Sequence, residues 1–419
     1  MEAAMRNRIP RPHYQQLLTR YRDTEFVKVL TGVRRCGKST LLDLFIEDLH
    51  AQGVPEENVF RKRFDEFGLP LNPTAEDLQD EIAAALDCAD PSHMFYVALD
   101  EIQMVSEWER VVRGLHTRSG VDVYITGSNA YLLSSDLATL LAGRYVELDV
   151  YPLSFCEYLE FSSRIRGKSD AALNTLFADY LRYGGMPSIF ALKEPREEDI
   201  ARELTGIFNS VIVNDVAQRF QIRDYALLEK LVAYVFSTSG NLFSVKSIAN
   251  YLKSAGAKAS YETIDGYLRA LEQALVLHSA LQTGVQGKQL LRPLRKYYPV
   301  DTGLRNLPGG FSGRDVGFQL ENVVYLELIR RGFNVSVGTL EKGEVDFVAQ
   351  KRDVRHYLQV VDSLVDTATY ERELKPLCML EDAFPRIILT LDCLRVGTTE
   401  EGIHIVNLID WLRDQSEAL

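Results

Sequence analysis

Apolar and polar positions fall into two regimes along the chain. Over the first 150 residues, short apolar runs alternate with stretches whose apolar residues recur at helical spacing. Phe26 to Gly32 (FVKVLTG), Val59 to Phe64, Met94 to Leu99 (MFYVAL), Val121 to Thr126 (VDVYIT) and Tyr145 to Val150 read as strands. Helices are expected from Thr40 to about His50, from Ala75 to Leu86, around Trp108, Val111, Val112 and Leu115, and from Leu132 to Leu141. The unbroken apolar run MFYVAL suits a central parallel strand covered on both faces. Strands alternating with helices predict a three-layer α/β sheet.

After Pro152 the pattern becomes helical. Leu153 to about Phe220 predicts a small all-α unit, interrupted by Tyr183 to Pro187 (YGGMP). Leu227 to Leu281 reads as helix, helix, helix, strand, which is the order of a winged helix-turn-helix. From about Gly284 a further α+β pattern begins. Its helix covers Gln319 to Arg331, followed by strands Asn334 to Gly338, Glu344 to Gln350 and His356 to Val361. A helix near Glu371 to Glu381 and a strand from Arg386 to Leu391 close it. The expected domains are therefore 1–150, 151–222, 223–283 and 284–419.

Length agrees, since 419 residues at about 150 per domain give three domains or four. Apolar residues at 46% and charged residues at 25% are those of a folded chain with sizeable cores. No apolar run approaches the roughly 18 residues of a membrane span, and the basic first twenty residues lack the apolar stretch of a secretory signal. Five scattered cysteines (36, 88, 156, 378 and 393) fit a reducing cytosol and neither a disulfide framework nor a zinc site. A net charge of −12 argues against general attraction to nucleic acid and leaves local basic patches open.

Gly32-Val33-Arg34-Arg35-Cys36-Gly37-Lys38-Ser39 has the spacing of a phosphate-binding loop, between an expected strand and an expected helix. Glycines let backbone N–H groups turn inward on phosphate oxygens, and the helix N-terminus adds its dipole. Gly32, Arg35, Cys36, Gly37 and Thr40 belong to this cradle. Lys38 faces the β- and γ-phosphates, and Ser39 is a Mg²⁺ ligand. Asp100 and Glu101 end the buried MFYVAL strand, so Asp100 is placed for the Mg²⁺ shell and Glu101 to polarise water. Thr126-Gly127-Ser128-Asn129 ends the next strand. Either Ser128 or Asn129 can sense the γ-phosphate there, or the segment caps the following helix. Arg144, between a helix and a strand, is placed either as an arginine finger on a neighbouring subunit's nucleotide or as a surface arginine.

GVRRCGKST, FYVALDEIQ, TGSNA, LAGRY and PLSFCEYL, in this order, resemble the AAA-type, signal-transducing ATPase-like proteins of bacteria and archaea that carry a C-terminal domain of unknown function. IPRPHY, KYYPVDTGLRN, LENVVYLEL, GEVDFVAQ and YLQVV are similar to the same family. The resemblance implies an α/β P-loop AAA-type core over 1–150, an α-helical lid over 151–222, a winged helix over 223–283 and an α+β restriction-endonuclease-like domain over 284–419. It also implies ATP and Mg²⁺ as cofactors and a ring-like homo-oligomer. YGGMP is similar to the Gly-x-Pro motif of such lids, which implies that Pro187 contacts the adenine.

A nuclease of that C-terminal fold needs converging carboxylates and a lysine near the attacking water. Glu321 and Asp346 fit, but Gln359 stands where a second carboxylate is needed and Val361 where a lysine is needed. No replacement lysine is evident in that pattern, so nuclease activity is not expected. The expected recognition helix, Ser260 to Gln273, carries Glu262, Asp265 and Glu272 against Arg269, which suits a protein partner better than a DNA groove. Lys288, Arg292, Arg295 and Lys296 beside Tyr297 and Tyr298 suit a nucleic-acid strand, as do Arg61-Lys62-Arg63 and Arg6, Arg8 and Arg11. The expected function is thus an ATP hydrolase that engages or remodels branched or structured DNA. The alternative is a nucleotide-controlled switch acting on a protein, with a metal-dependent nuclease as the third reading.

Overall fold

The computed structural model describes residues 8–66, 73–127, 141, 143–168, 172–256, 259–284, 294–311, 316–341 and 343–414. Two compact units are present. One comprises 1–151 together with 273–275, and the other the remainder.

In the first unit five strands, β1 (Val27–Thr31), β2 (Val59–Arg63), β3 (Phe95–Asp100), β4 (Val121–Thr126) and β5 (Tyr145–Asp149), form a parallel sheet of order β2-β3-β4-β1-β5. Helix α1 (Pro12–Tyr21) precedes it, and α2 (Lys38–Ala51), α3 (Ala75–Cys88) and α4 (Trp108–His116) connect its strands. The period of two along a strand sorts side chains onto its two faces. Val97 and Leu99 join Leu78 and Ile82 of α3 and Val111 and Val112 of α4 in one buried layer. Tyr96 and Tyr124 face the other way and meet Phe45 of α2, at ring-centroid distances of 6.5 and 4.6 Å. The three-layer expectation is met. The helix expected over 132–141 lies outside the described residues apart from Leu141.

The second unit begins with α5 (Phe155–Arg166), α6 (Leu173–Tyr183), a short turn Pro187–Phe190 and α7 (Glu197–Ser210), which continues as a π-helix over Val211–Gln218. Helices α8 (Tyr225–Ser237), α9 (Val245–Ser254) and α10 (Tyr261–Gln273) lead into β6 (Leu277–Gly284) and β7 (Arg295–Pro299). These two strands pair antiparallel. β6 also pairs parallel with β8 (Asn334–Thr339) through residues 282–284, so the hairpin is continuous with the sheet that follows. That sheet has eight strands, in the order β12-β13-β11-β10-β9-β8-β6-β7. The remaining strands are β9 (Glu344–Lys351), β10 (Val354–Val361), β11 (Arg386–Thr390), β12 (Gly397–Thr398) and β13 (His404–Asn407). Its helices are α11 (Thr302–Asn306), α12 (Val316–Arg330), α13 (Thr367–Cys378) and α14 (Leu408–Arg413). Residue 283, an expected domain end, lies within β6.

Candidate active site

The phosphate loop links the C-terminal end of β1 to the start of α2. Gly32 has φ +152°, and a Cβ there would lie 2.2 Å from the Val150 carbonyl oxygen and 2.8 Å from Cys36 Sγ. Only glycine fits so close an approach. Gly37, at φ +106°, begins α2 from the left-handed region, and Arg35 also has positive φ. Lys38 is buried, and its Nζ donates to the carbonyls of Gly32 and Val33 at 2.8 and 3.2 Å. The loop thus holds its own cation at its centre. Arg11 braces it from behind, donating to the Cys36 carbonyl at 3.1 Å and to the Tyr151 carbonyl at 2.9 Å. Cys36 is wholly buried, which pushes its thiol pKa up, so it packs rather than reacts. Thr40 and Arg35 are exposed and Ser39 is half-buried.

Asp100 ends β3 with no exposed surface. Burial alone would raise its pKa. The Arg61 guanidinium and hydrogen bonds from Thr126 and Ser39 outweigh burial and hold the carboxyl below its ordinary range. Arg61 reaches Asp100 Oδ2 at 3.0 Å, Arg63 Nε lies 3.5 Å from the same oxygen, and the Thr126 hydroxyl donates to Oδ1. The Glu101 N–H in turn donates to Thr126 Oγ1 at 3.1 Å. Glu101 sits at φ +55°, an uncommon conformation for a residue with a side chain, and its carboxylate accepts from Gln103 Nε2. Gln103 Oε1 is buried without a hydrogen-bond partner, whereas Arg63 Nε is held by ion-pair contacts with Glu66 and Asp100 at 3.4 and 3.5 Å. An orphaned amide oxygen beside a buried aspartate, a hydroxyl and a lysine fits a site completed by a metal–phosphate group. Lys38, Ser39 and Asp100 are the residues that would hold it.

Lys38, Ser39, Asp100 and Glu101 therefore come together at the C-terminal edge of the sheet. Thr126, Arg61 and Arg63 join them, although sequence reasoning assigned them no role there. Ser128 and Asn129 lie outside the described residues. Arg144 is exposed, and its carbonyl accepts from Val27 N at 3.1 Å, where β1 begins. It lies at the edge of the sheet opposite the phosphate loop, so its own loop is out of its reach.

Pro187 is half-buried in the second unit, where the preceding glycines are fixed by Asp301. Asp301 accepts from Gly185 N at 2.7 Å and from Leu304 N at 3.0 Å. Gly184 has φ +76°, and a Cβ on it would fall 2.2 Å from Asp301 Oδ1. Thr302 Oγ1 donates to the Tyr180 carbonyl, and Asn306 Nδ2 to those of Leu181 and Arg182, so α11 satisfies the last carbonyls of α6. YGGMP and VDTGLRN are thus two halves of one joint. Burial pushes the Asp301 pKa up from 3.8 to about 6, against the pull of its backbone donors. The folded state then binds this proton more tightly than the unfolded chain. Stability from this group is present at low pH and lost as pH rises through about 4 to 6, by about 2–3 kcal/mol. Thermal unfolding from pH 4 to 7 should show this slope, and Asp301→Asn should flatten it while lowering stability throughout.

In the C-terminal sheet Glu321, Asp346 and Gln359 are brought together and buried. Gln359 Oε1 accepts from Asp346 N at 2.7 Å and its Nε2 donates to Glu373 at 2.8 Å. The expectation that this group has no lysine is corrected. Lys296, 2% exposed, places Nζ 2.8 Å from Glu344, 3.2 Å from Glu321 and 3.4 Å from Asp346. It comes from β7, far from the strand where the pattern places a lysine. Burial and then the neighbouring Asp346 push the Glu321 pKa up to about 8, against the opposing pull of Lys296. Burial likewise raises Asp346.

The same residues correct the basic-strand expectation. Lys296, Tyr297 and Tyr298 are buried, and Arg295 lies 3.8 Å from Glu272. Lys288 and Arg292 lie outside the described residues, as does Arg6. Lys62 pairs with Glu81, and Arg8 with Asp43 and Glu47.

Residues 24–159 match the model of an AAA domain, and residues 174–314 that of a domain of unknown function, DUF8612. An uncharacterised protein of Haemophilus influenzae is 37% identical over 404 residues, covering 96% of this chain and 98% of its own. The chain belongs to the same family. MJ1544 of Methanocaldococcus jannaschii, also uncharacterised, is 31% identical over 360 residues, or 83% of this chain and 77% of that one. In this chain the first unit is an AAA-type P-loop ATPase domain. Among solved structures, the Walker-type ATPase PABY2304 of Pyrococcus abyssi aligns with 72% of this chain and 96% of its own, at 16% identity and a TM-score of 0.49. No helix among the described residues is long and apolar enough to cross a membrane.

Proposed function

We propose that the protein hydrolyses ATP with Mg²⁺ and uses the cycle to change how its second unit engages a protein partner. The observation that carries the catalytic part is the convergence of Lys38, Asp100, Thr126 and Glu101 at one edge of the sheet. Lys38 leaves the loop carbonyls for the β- and γ-phosphates. Bound Mg²⁺ supplies charge neutralisation on those phosphates. Glu101 orients and polarises water, held by the Thr126 bond to its N–H. Arg144, remote from its own loop, acts in trans in a ring-like homo-oligomer.

The protein partner is favoured over DNA because the described basic clusters are spent on internal carboxylates. The winged-helix reading of α8 to β7 agrees, since α10 shows Glu262, Asp265 and exposed Tyr261. We read the C-terminal sheet as a restriction-endonuclease-like fold without cleavage activity, because Gln359, a neutral amide committed to Asp346 N and Glu373, stands where a metal-binding carboxylate is needed. The deciding experiment measures ATP hydrolysis by the full chain with and without single-stranded, duplex and branched DNA at low and moderate salt. Turnover that DNA does not change is expected. Stimulation by one DNA form, with salt-dependent binding, would replace the protein partner by DNA. No turnover under any condition would overturn the ATPase reading.

A further inference from the structure

Arg61 has two anchors. Its guanidinium lies 3.2 Å from Asp43 Oδ1 on α2, the helix of the phosphate loop, and 3.0 Å from Asp100 Oδ2. The side chain is 17% exposed and Asp100 is wholly buried. β2 and β3 are adjacent and in register, with Arg61 beside Ala98 and Arg63 beside Asp100. The period of two therefore sends Arg61 and Arg63 to one side, toward Asp100, and Lys62 to the other, toward Glu81. Asp100 thus has Arg61 on Oδ2, with Arg63 Nε farther off at 3.5 Å, and the Thr126 hydroxyl on Oδ1. A divalent cation reaching this carboxylate meets a guanidinium already in place.

We propose that Arg61 is a positioning residue that competes with Mg²⁺ for Asp100, handing the aspartate over as the metal–nucleotide pair enters and withdrawing onto Asp43. This rests on the ATPase reading above and extends it to how the site is kept closed to metal without nucleotide. The electrostatics favour it, since Arg61 is the nearer of the two guanidinium groups on Asp100. A buried carboxylate left bare costs several kcal/mol, so some cation must hold Asp100 between nucleotides. A second full positive charge arriving beside Arg61 is repelled, so one cation must give way to the other. Asp43 is the place to which Arg61 can retreat without leaving the site. Arg8, 2.9 Å from the other Asp43 oxygen, keeps that carboxylate close to charge balance.

The test is binding of a fluorescent N-methylanthraniloyl ATP to the full chain across a Mg²⁺ titration. Arg61→Ala should lower the Mg²⁺ concentration at half-binding, on the order of tenfold for an exchange of one such contact. Asp43→Asn should move the midpoint the opposite way, because Arg61 then has Asp100 as its remaining carboxylate partner. A merely structural role predicts no such opposition of sign. Midpoints that both stay put, or that shift in the same direction, would overturn the competition. Should Arg61→Ala fail to fold, Asp43→Asn alone decides by the sign of its shift. Wild-type protein that binds no nucleotide at any Mg²⁺ concentration would overturn the ATPase reading itself. Binding with an unmoved midpoint overturns only the role of Arg61.

Discussion

Glu101→Gln is expected to bind ATP as the parent does and to hydrolyse it about 10²–10⁴-fold more slowly, the usual contribution of a positioned general base. That loss corresponds to about 3–5 kcal/mol in the barrier. The amide keeps the size of the carboxylate and can still meet Gln103, and the N–H to Thr126 is backbone and survives. What it loses is the basicity that polarises water. Nucleotide affinity and single-turnover hydrolysis, measured side by side, check this. Parent-like turnover would remove Glu101 from its role, and lost binding would show that the substitution had disturbed the left-handed turn at Glu101 instead.

The largest effect on stability is expected at Lys296. Lys296→Met leaves Glu321, Glu344 and Asp346 facing one another with their shared cation gone. Breaking such a buried arrangement from one side costs about 3–5 kcal/mol. In a unit of this size that is a fall of about 10 °C in Tm. The loss should shrink at low pH, because protonating the carboxylates relieves their repulsion. The double variant Lys296→Met with Glu321→Gln should recover part of the loss. A variant as stable as the parent at pH 8 would show that the cluster does not hold the fold.

Much of the first unit was readable because its strands are short apolar runs and its loop has a fixed spacing. Phe95 to Asp100 is the plainest case, since its alternate side chains fill two cores and its end delivers Asp100. Thr126 was harder. A threonine closing VDVYIT looks like an ordinary strand end until β4 is known to lie beside β3. The run RKYYP failed for a related reason. Its lysine is neutralised by Glu321, Glu344 and Asp346, which are 25 to 50 residues away in sequence, so local pattern shows charge and aromatic rings and not burial. RKR carried a usable signal, because residues two apart on a strand share a face. Its meaning depended on the strand next to it. Ser128 and Asn129 remain expectations of the sequence.

The continuity of β6 with β8 bears on how the protein can be divided. A fragment starting at 316 would present β8 without the strand that covers its outer edge, and bare strand edges pair with whatever edge is nearest. A fragment ending before 301 would strip the carbonyls at the end of α6 of Thr302 and Asn306. Evolution faces the same constraint as the bench. A crossover between relatives inside the segment from 152 to the end of the sheet would separate strands and caps that complete one another.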